Sequence, residues 1–303
     1  MDNLCHTLVG AAIGEAGLKH RTRFGAATLM IAANLPDVDV FAFAMSAPAV
    51  AFRRGWTHGP LAQLALPLAL TGIMLVLARR FRGDPQSVPI RPGWLFLLSL
   101  AGVLSHVALD LLNPYGLRIL APFDWRWFYG DALFIIDPWL WVILSSGIWF
   151  ARRADLALAA RQALIVMLLY IAAMTLNAHL ARNIILNEWR VTRGGDPAAL
   201  MVGPEPITPF RKQVIVDDGL SYHTASLTLV PRALAWDSTV PKNDTDPRVA
   251  RARQDPRVQG FLVWSRFPYW TIEEGADGTR VTVGDMRFAG QTRARFQVST
   301  VVR

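Results

Sequence analysis

The sequence predicts a mainly α-helical, polytopic membrane bundle, with about four spanning helices and two short N-terminal ones, followed by a small β-rich C-terminal domain. Three observations carry this expectation. The 303-residue chain is 52% hydrophobic, more apolar than is usual for a soluble chain of that length. Its apolar residues concentrate before residue 182, and the charged, Pro-rich and Gly-rich stretches follow. Arg and Lys gather in short clusters beside the apolar segments, which is how membrane topology is written into a sequence.

Taken in order, residues 4–18 and 24–35 read as the two short helices. Both are rich in Gly and Ala, which allows close helix packing, and the second stops at Pro36, which disfavours helical backbone before it. Residues 60–78 carry no charge and end on Arg79-Arg80-Phe81-Arg82; residues 93–112 are apolar except for His106 and Asp110. About 20 residues at ~1.5 Å each reach about 30 Å, the thickness of a bilayer core. Residues 132–151 and 162–181 are the remaining two spans, interrupted by Asp137-Pro138 and by Asn177 and His179. From about residue 190, short runs at 214–216, 226–230, 261–264, 280–283 and 296–302 read as strands, and 237–255 as a polar loop. The expected domains are 1–185, membrane-embedded, and 186–303, soluble.

Loops 19–23, 79–92 and 152–161 hold ten Lys and Arg residues, against four in 40–59 and 112–131. The positive-inside rule then turns the N-terminus, the second set of loops and the C-terminal domain outward across a bacterial inner membrane. Trp125, Trp127, Trp139 and Trp141 fall at that outer level, as in an aromatic belt. Much of the net charge of +8 sits in the loop clusters, so no nucleic-acid partner is expected; membrane lipids are. A lone cysteine, Cys5, excludes an internal disulfide and a cysteine-cluster metal site. Asp2 and the lack of a basic start argue against a cleaved signal peptide.

Alternating helices bring dispersed polar residues to this outer end: His6, Asp37, Asp39, His58, His106 and Asp110. His106 and Asp110 are four apart and share a helix face; ionisable groups in an apolar span are costly and tend to be functional. The competing reading is a buried His–Asp hydrogen bond that locks two helices. Asp37 and Asp39 follow Pro36, where a solvated turn or a helix cap is the bland alternative. His58 precedes Gly59-Pro60, and a helix N-terminus disfavours a protonated imidazole, leaving the neutral form that ligates metals. Histidine and carboxylate donors without cysteine suit a divalent ion, Zn²⁺ first, with Mn²⁺ or Mg²⁺ as alternatives. Six donors exceed one tetrahedral site, so two ions, or one ion and a substrate-orienting carboxylate, are expected. Asp39 is a ligand or general base. Asp131 and Asp137 are each a supporting partner of the centre or a further ligand; Asp137 is counted with Asp39 among the catalytic residues, with a cap of the helix at Pro138 as its bland alternative. Arg53, Arg54 and Arg118 on the same loops have forks that match phosphate.

The stretches Met1-Asp2-Asn3-Leu4-Cys5-His6-Thr7-Leu8-Val9-Gly10, Asn34-Leu35-Pro36-Asp37-Val38-Asp39, Arg54-Gly55-Trp56-Thr57-His58 and Ser105-His106-Val107-Ala108-Leu109-Asp110, with Asn113-Pro114-Tyr115-Gly116, resemble the YdjM-like family over roughly residues 1–180. Its members are inner-membrane proteins described as metal-dependent hydrolases. The order His, Asp, His, HxxxD is also similar to that of zinc-dependent phospholipase C and the secreted zinc nucleases, all-helical phosphodiesterases with several zinc ions. Where those have a later HxxxE, this chain has His179-Leu180-Ala181-Arg182-Asn183, and Asn in place of Glu argues against a full three-metal site. The resemblance implies a membrane-bound metal-dependent hydrolase. An interfacial site reaches headgroups, so a small-molecule or lipid-linked phosphoester is the expected substrate. A metal-binding transporter and a non-catalytic envelope scaffold are the alternatives; a transporter would more often hold its ionisable groups near the bilayer midplane.

Overall fold

The computed structural model describes residues 1–44, 52–81, 88–276, 278–289 and 296–302; Arg82 of the expected basic cluster lies outside them. The chain opens with α1, Asn3–Glu15, whose N-terminus is capped by Asp2: its carboxylate accepts from the N–H groups of Leu4 and Cys5, both at 3.0 Å, satisfying two of the donors a helix start leaves unpaired. α2 covers Gly25–Ala32, and a 3-10 helix, Leu35–Ala44, carries Asp37 and Asp39. α3, Pro60–Arg80, and α4, Pro92–Leu111, follow, each with Pro in its first turn, where the missing N–H costs nothing. α5 covers Pro138–Ala154 and α6 Ala157–Arg193.

Three described helices, α3, α4 and α6, are long and apolar enough to cross a membrane. Leu61, Leu64, Leu68, Ile73 and Val76 of α3 are exposed, an outward apolar face suited to lipid. The expected fourth span, over 132–151, is instead a 17-residue helix beginning at Pro138. Asp137 explains the late start: its carboxylate accepts from Trp139 N at 3.0 Å and Leu140 N at 3.2 Å, so the helix is capped there. α6 runs 37 residues, well past the expected span at 162–181. It stops at Gly194, which takes φ 79° and donates its N–H to Arg190 O at 2.9 Å, the left-handed closure for which glycine is suited.

The chain divides into two compact units. One comprises Met1–Asp39, Arg54–Ala178 and Gly203–Pro209; the other Val40–Arg53, His179–Val202 and Phe210–Arg303. The first has a core around Cys5, Val9, Leu133, Leu140 and Leu144.

The C-terminal part contains two antiparallel sheets, β1-β2-β3-β4 and β5-β6-β7. The strands are β1 Ala199–Pro204, β2 Arg211–Asp217, β3 Ser221–Leu229, β4 Arg232–Pro241, β5 Pro268–Gly275, β6 Gly278–Asp285 and β7 Gln297–Val302. Two local expectations differ. The run at 261–264 belongs to a helix, α8, Pro256–Trp264, because Asp255 caps it and Pro256 occupies its first turn. The supposed loop at 237–255 contains the end of β4 and a short helix, α7, Pro247–Ala252, capped by Asp246. In both cases a local Asp-Pro start signal outweighs strand propensity or polarity.

Val214 and Val216 of β2 join Ala225 and Leu227 of β3 against Ile185 and Trp189 of α6 in one core. Lys212, two and four residues before those valines, is fully buried, and its Nζ has no hydrogen-bond partner among the described residues. Burial pushes its pKa down from 10.5 to about 8. The folded form therefore releases its proton near pH 8 and the unfolded chain near 10.5, so this residue's stability penalty is full below pH 8 and fades as pH rises between the two values. Lys212→Met should raise the melting temperature of the purified protein at pH 7, by roughly 1–3 kcal/mol of stability. The advantage over the wild type should shrink by pH 10; thermal unfolding followed by circular dichroism at both pH values checks it.

Candidate metal centre

Close packing of α4 on α2 builds the centre. A Cβ on Gly102 would lie 2.6 Å from Ala32 Cβ and 2.9 Å from Leu29 O, so only glycine lets the two helices meet there. One turn later His106 reaches the end of α2, where its Nδ1 lies 2.8 Å from Ala33 O. That carbonyl is among those a helix C-terminus leaves unpaired, and it can only accept. His106 therefore carries its proton on Nδ1 and presents a bare Nε2.

His58 is fixed in the same tautomer by a different route. The Thr57 hydroxyl donates to Asp39 Oδ2 at 3.1 Å, which uses its only proton. Its oxygen is left to accept from His58 Nδ1 at 2.9 Å. The backbone immediately beyond is held close: a Cβ on Gly59 would fall 1.8 Å from Ala121 O. Arg54, with φ 58°, donates its own N–H to Asp39 Oδ2 at 2.7 Å, completing the anchor for this loop.

The two bare Nε2 atoms face each other at 3.3 Å. Asp110 Oδ2 lies 3.7 Å from each of them, and Asp37 Oδ1 4.0 Å from His106 Nε2. One donor atom from each of Asp37, His58, His106 and Asp110 falls within 4.8 Å of the others, a group that can hold a metal ion. Two neutral imidazole lone pairs aimed at each other repel unless a cation lies between them. Ligands at ~2.0–2.1 Å from a tetrahedral ion sit about 3.3 Å apart, the spacing of the two nitrogens. The donor set and its spacing thus fit a divalent ion.

His6 lies against this group. Its ring stacks on that of His106, centroids 3.9 Å apart, and its Nε2 is 3.3 Å from Asp110 Oδ1. Its Nδ1 is buried without a hydrogen-bond partner among the described residues. Asp110 is also flanked by cations: the Met1 ammonium contacts Oδ1, and Arg54 Nη2 lies 3.0 Å from Oδ2. Arg54 is held in turn by Asn113 Oδ1 at 3.0 Å and Gly116 O at 3.3 Å. His58, His106 and Asp110 are fully buried, while the Asp37 side chain keeps 11% exposure. Burial raises the Asp37 carboxyl above its usual range.

Asp137 stands elsewhere: it caps α5 and accepts from the Tyr170 hydroxyl at 3.0 Å. Arg118 packs over the Trp127 ring, 4.4 Å from its centroid. Two contributors, Asn113 and Thr57, are not singled out by the sequence as parts of the site. Asn113 follows Asp110 by three, a spacing that places both at one helix end. Arg54, one of the three loop arginines expected to match phosphate, is the one that pairs with Asp110. Thr57 carries no signal in sequence beyond standing next to His58.

The family model described as YdjM inner membrane protein matches residues 1–181. A Bacillus subtilis (strain 168) protein described as "Uncharacterized protein YfhP" is 22% identical over 314 residues, covering 98% of this chain and 89% of that protein. The similarity to it therefore extends through the β-rich region. No solved structure matches the chain.

Thr57→Val removes the hydroxyl that relays Asp39 to His58 and frees the ring to rotate. Loss of such a supporting contact typically lowers metal affinity ~10–100-fold, and a competition titration of Zn²⁺ against a chromophoric chelator should show a drop of that size. An unchanged affinity would mean that His58 is not oriented through Thr57.

Proposed function

The chain belongs to the YdjM inner membrane protein family, and we propose that it is a membrane-bound metal-dependent hydrolase acting on a phosphoester or lipid-linked substrate at the extracytoplasmic membrane face. The observation that carries this reading is the pair of bare imidazole nitrogens 3.3 Å apart beside Asp37 and Asp110. Asp37, His58, His106 and Asp110 would hold a divalent ion there, Zn²⁺ by donor set, which when bound would supply Lewis-acid activation of water and of a phosphoryl oxygen. His6 is assigned as a further donor on the Oδ1 side of Asp110.

The remaining residues position and bind. Asp39 is a positioning residue: it accepts from Thr57 and from Arg54 N, and so sets the aim of His58. Asp137 supports the fold by capping α5. Arg54 offers a fork beside Asp110, and a guanidinium matches the geometry of phosphoryl oxygens. The part-exposed Asp37 marks the side from which substrate and water arrive. The excess of basic residues on the loops at 19–23, 79–92 and 152–161 supports the outward orientation.

The test uses the purified full chain in nanodiscs with p-nitrophenyl phosphate, bis(p-nitrophenyl) phosphate and phospholipids as substrates. Turnover of at least one of them is expected, abolished by chelation or His106→Ala and restored to the wild type by added metal. Arg54→Ala should lower turnover by roughly 10²–10³-fold, the usual loss of one charge-stabilising donor. Stoichiometric metal with no turnover across the panel would refute the hydrolase and leave a metal-binding transporter or scaffold.

A further inference from the structure

Far along the chain from the metal-binding group, α6 and the β1-β2-β3-β4 sheet enclose a cavity of about 380 Å³, open to solvent, lined by Trp189, Arg193, His223, Trp236, Asp237 and Thr239 among others. We propose that this cavity is a saccharide-binding site, built to take a neutral pyranose ring of a glycan. Its size lies in the range of small-molecule sites, which combine apolar walls with a few fixed polar groups.

The aromatic wall is a pair of indoles tilted 52° to one another. Trp189 is buried at 4% exposure and supports Trp236, whose ring lies 6.0 Å away and keeps 44% of its surface open. An exposed indole backed by a second one is a rigid platform for the apolar face of a sugar ring. The polar wall is fixed by the strands. Asp218 Oδ2 lies 2.6 Å from His223 Nε2, and Thr239 Oγ1 3.0 Å from His223 Nδ1. With both ring nitrogens engaged, His223 is a held wall. Its neighbour β4 carries an irregularity: Thr224 pairs with Ser238 and Ala225 with Trp236, so Asp237 is the extra, unpaired residue of a bulge. Bulges re-aim side chains beside binding sites, and here one brings an acceptor, Asp237, next to the platform.

Charge separates this ligand class from others. Arg193 and Asp237 balance, so the cavity is neither an anion trap nor a cation trap. The guanidinium of Arg193 already sits over the Trp189 ring, 5.4 Å from its centroid, which disfavours a quaternary ammonium guest at that face. Donors and acceptors beside an aromatic platform fit a molecule with one apolar face and a hydroxyl rim. β4 is an edge strand, so a longer glycan can run on past the cavity. The bulge that serves the site also blunts that edge against strand pairing with a peptide.

The full-length chain, in nanodiscs or a detergent without a sugar headgroup, is applied to an array of neutral hexose and N-acetylhexosamine oligosaccharides. Retention of a defined subset is expected. Trp236→Ala and Asp237→Asn, both exposed on an edge strand, should each weaken it at least about tenfold with unchanged circular dichroism. His106→Ala should leave it intact, so failure here and failure of the hydrolase reading are distinguishable. No retained glycan, retention unaffected by both substitutions, or capture of peptides or tetramethylammonium in place of sugars would overturn the proposal.

Discussion

Two imidazole nitrogens without protons, held 3.3 Å apart in a buried place, are the constraint on which the rest of this structure turns. Left alone, their lone pairs repel each other. The fold nevertheless spends several specific features on holding them there. Gly102 lets α4 touch α2, the spare carbonyl of Ala33 sets one tautomer, and the Asp39–Thr57 relay sets the other. The first also packs the helices; the two tautomer-setting contacts are not needed for that. They make sense as the preparation of a cation site, in which orienting partners matter nearly as much as ligands.

The same polar layer explains the short N-terminal helices. α1 is too short to span the apolar core of a bilayer, yet it carries His6 to within a ring's thickness of His106 and packs through Gly10, where a Cβ would meet Leu29 O at 2.8 Å. α2 ends where its last carbonyls can serve the centre. Residues that would be wasteful in a lipid-facing helix are buried here among others of their kind, with Arg54 and Asn113 closing the network around Asp110.

Much of this was legible beforehand, for identifiable reasons. The strongly apolar segments of α3 and α4 announce themselves by length, and the meeting of His58, His106, Asp37 and Asp110 follows once successive helices run up and down. Less was legible where a single local residue overrides a regional trend. Asp137 delays α5, and the Asp-Pro pairs at 246–247 and 255–256 start helices inside stretches that read as loop and strand. Asp39 reads in sequence as a ligand or base; its contacts to Thr57 and Arg54 are ones that only three-dimensional neighbours reveal. Thr57 itself was invisible, because a hydroxyl acquires meaning only from the proton it gives and the one it receives.

X-ray absorption at the zinc edge of the purified, zinc-loaded full chain tests the central claim most directly. The account predicts one tightly held ion with at least two imidazole nitrogens and carboxylate oxygens in its first shell, and loss of that signal in His106→Ala. An ion that washes off the wild type, or a shell without imidazole, would contradict it.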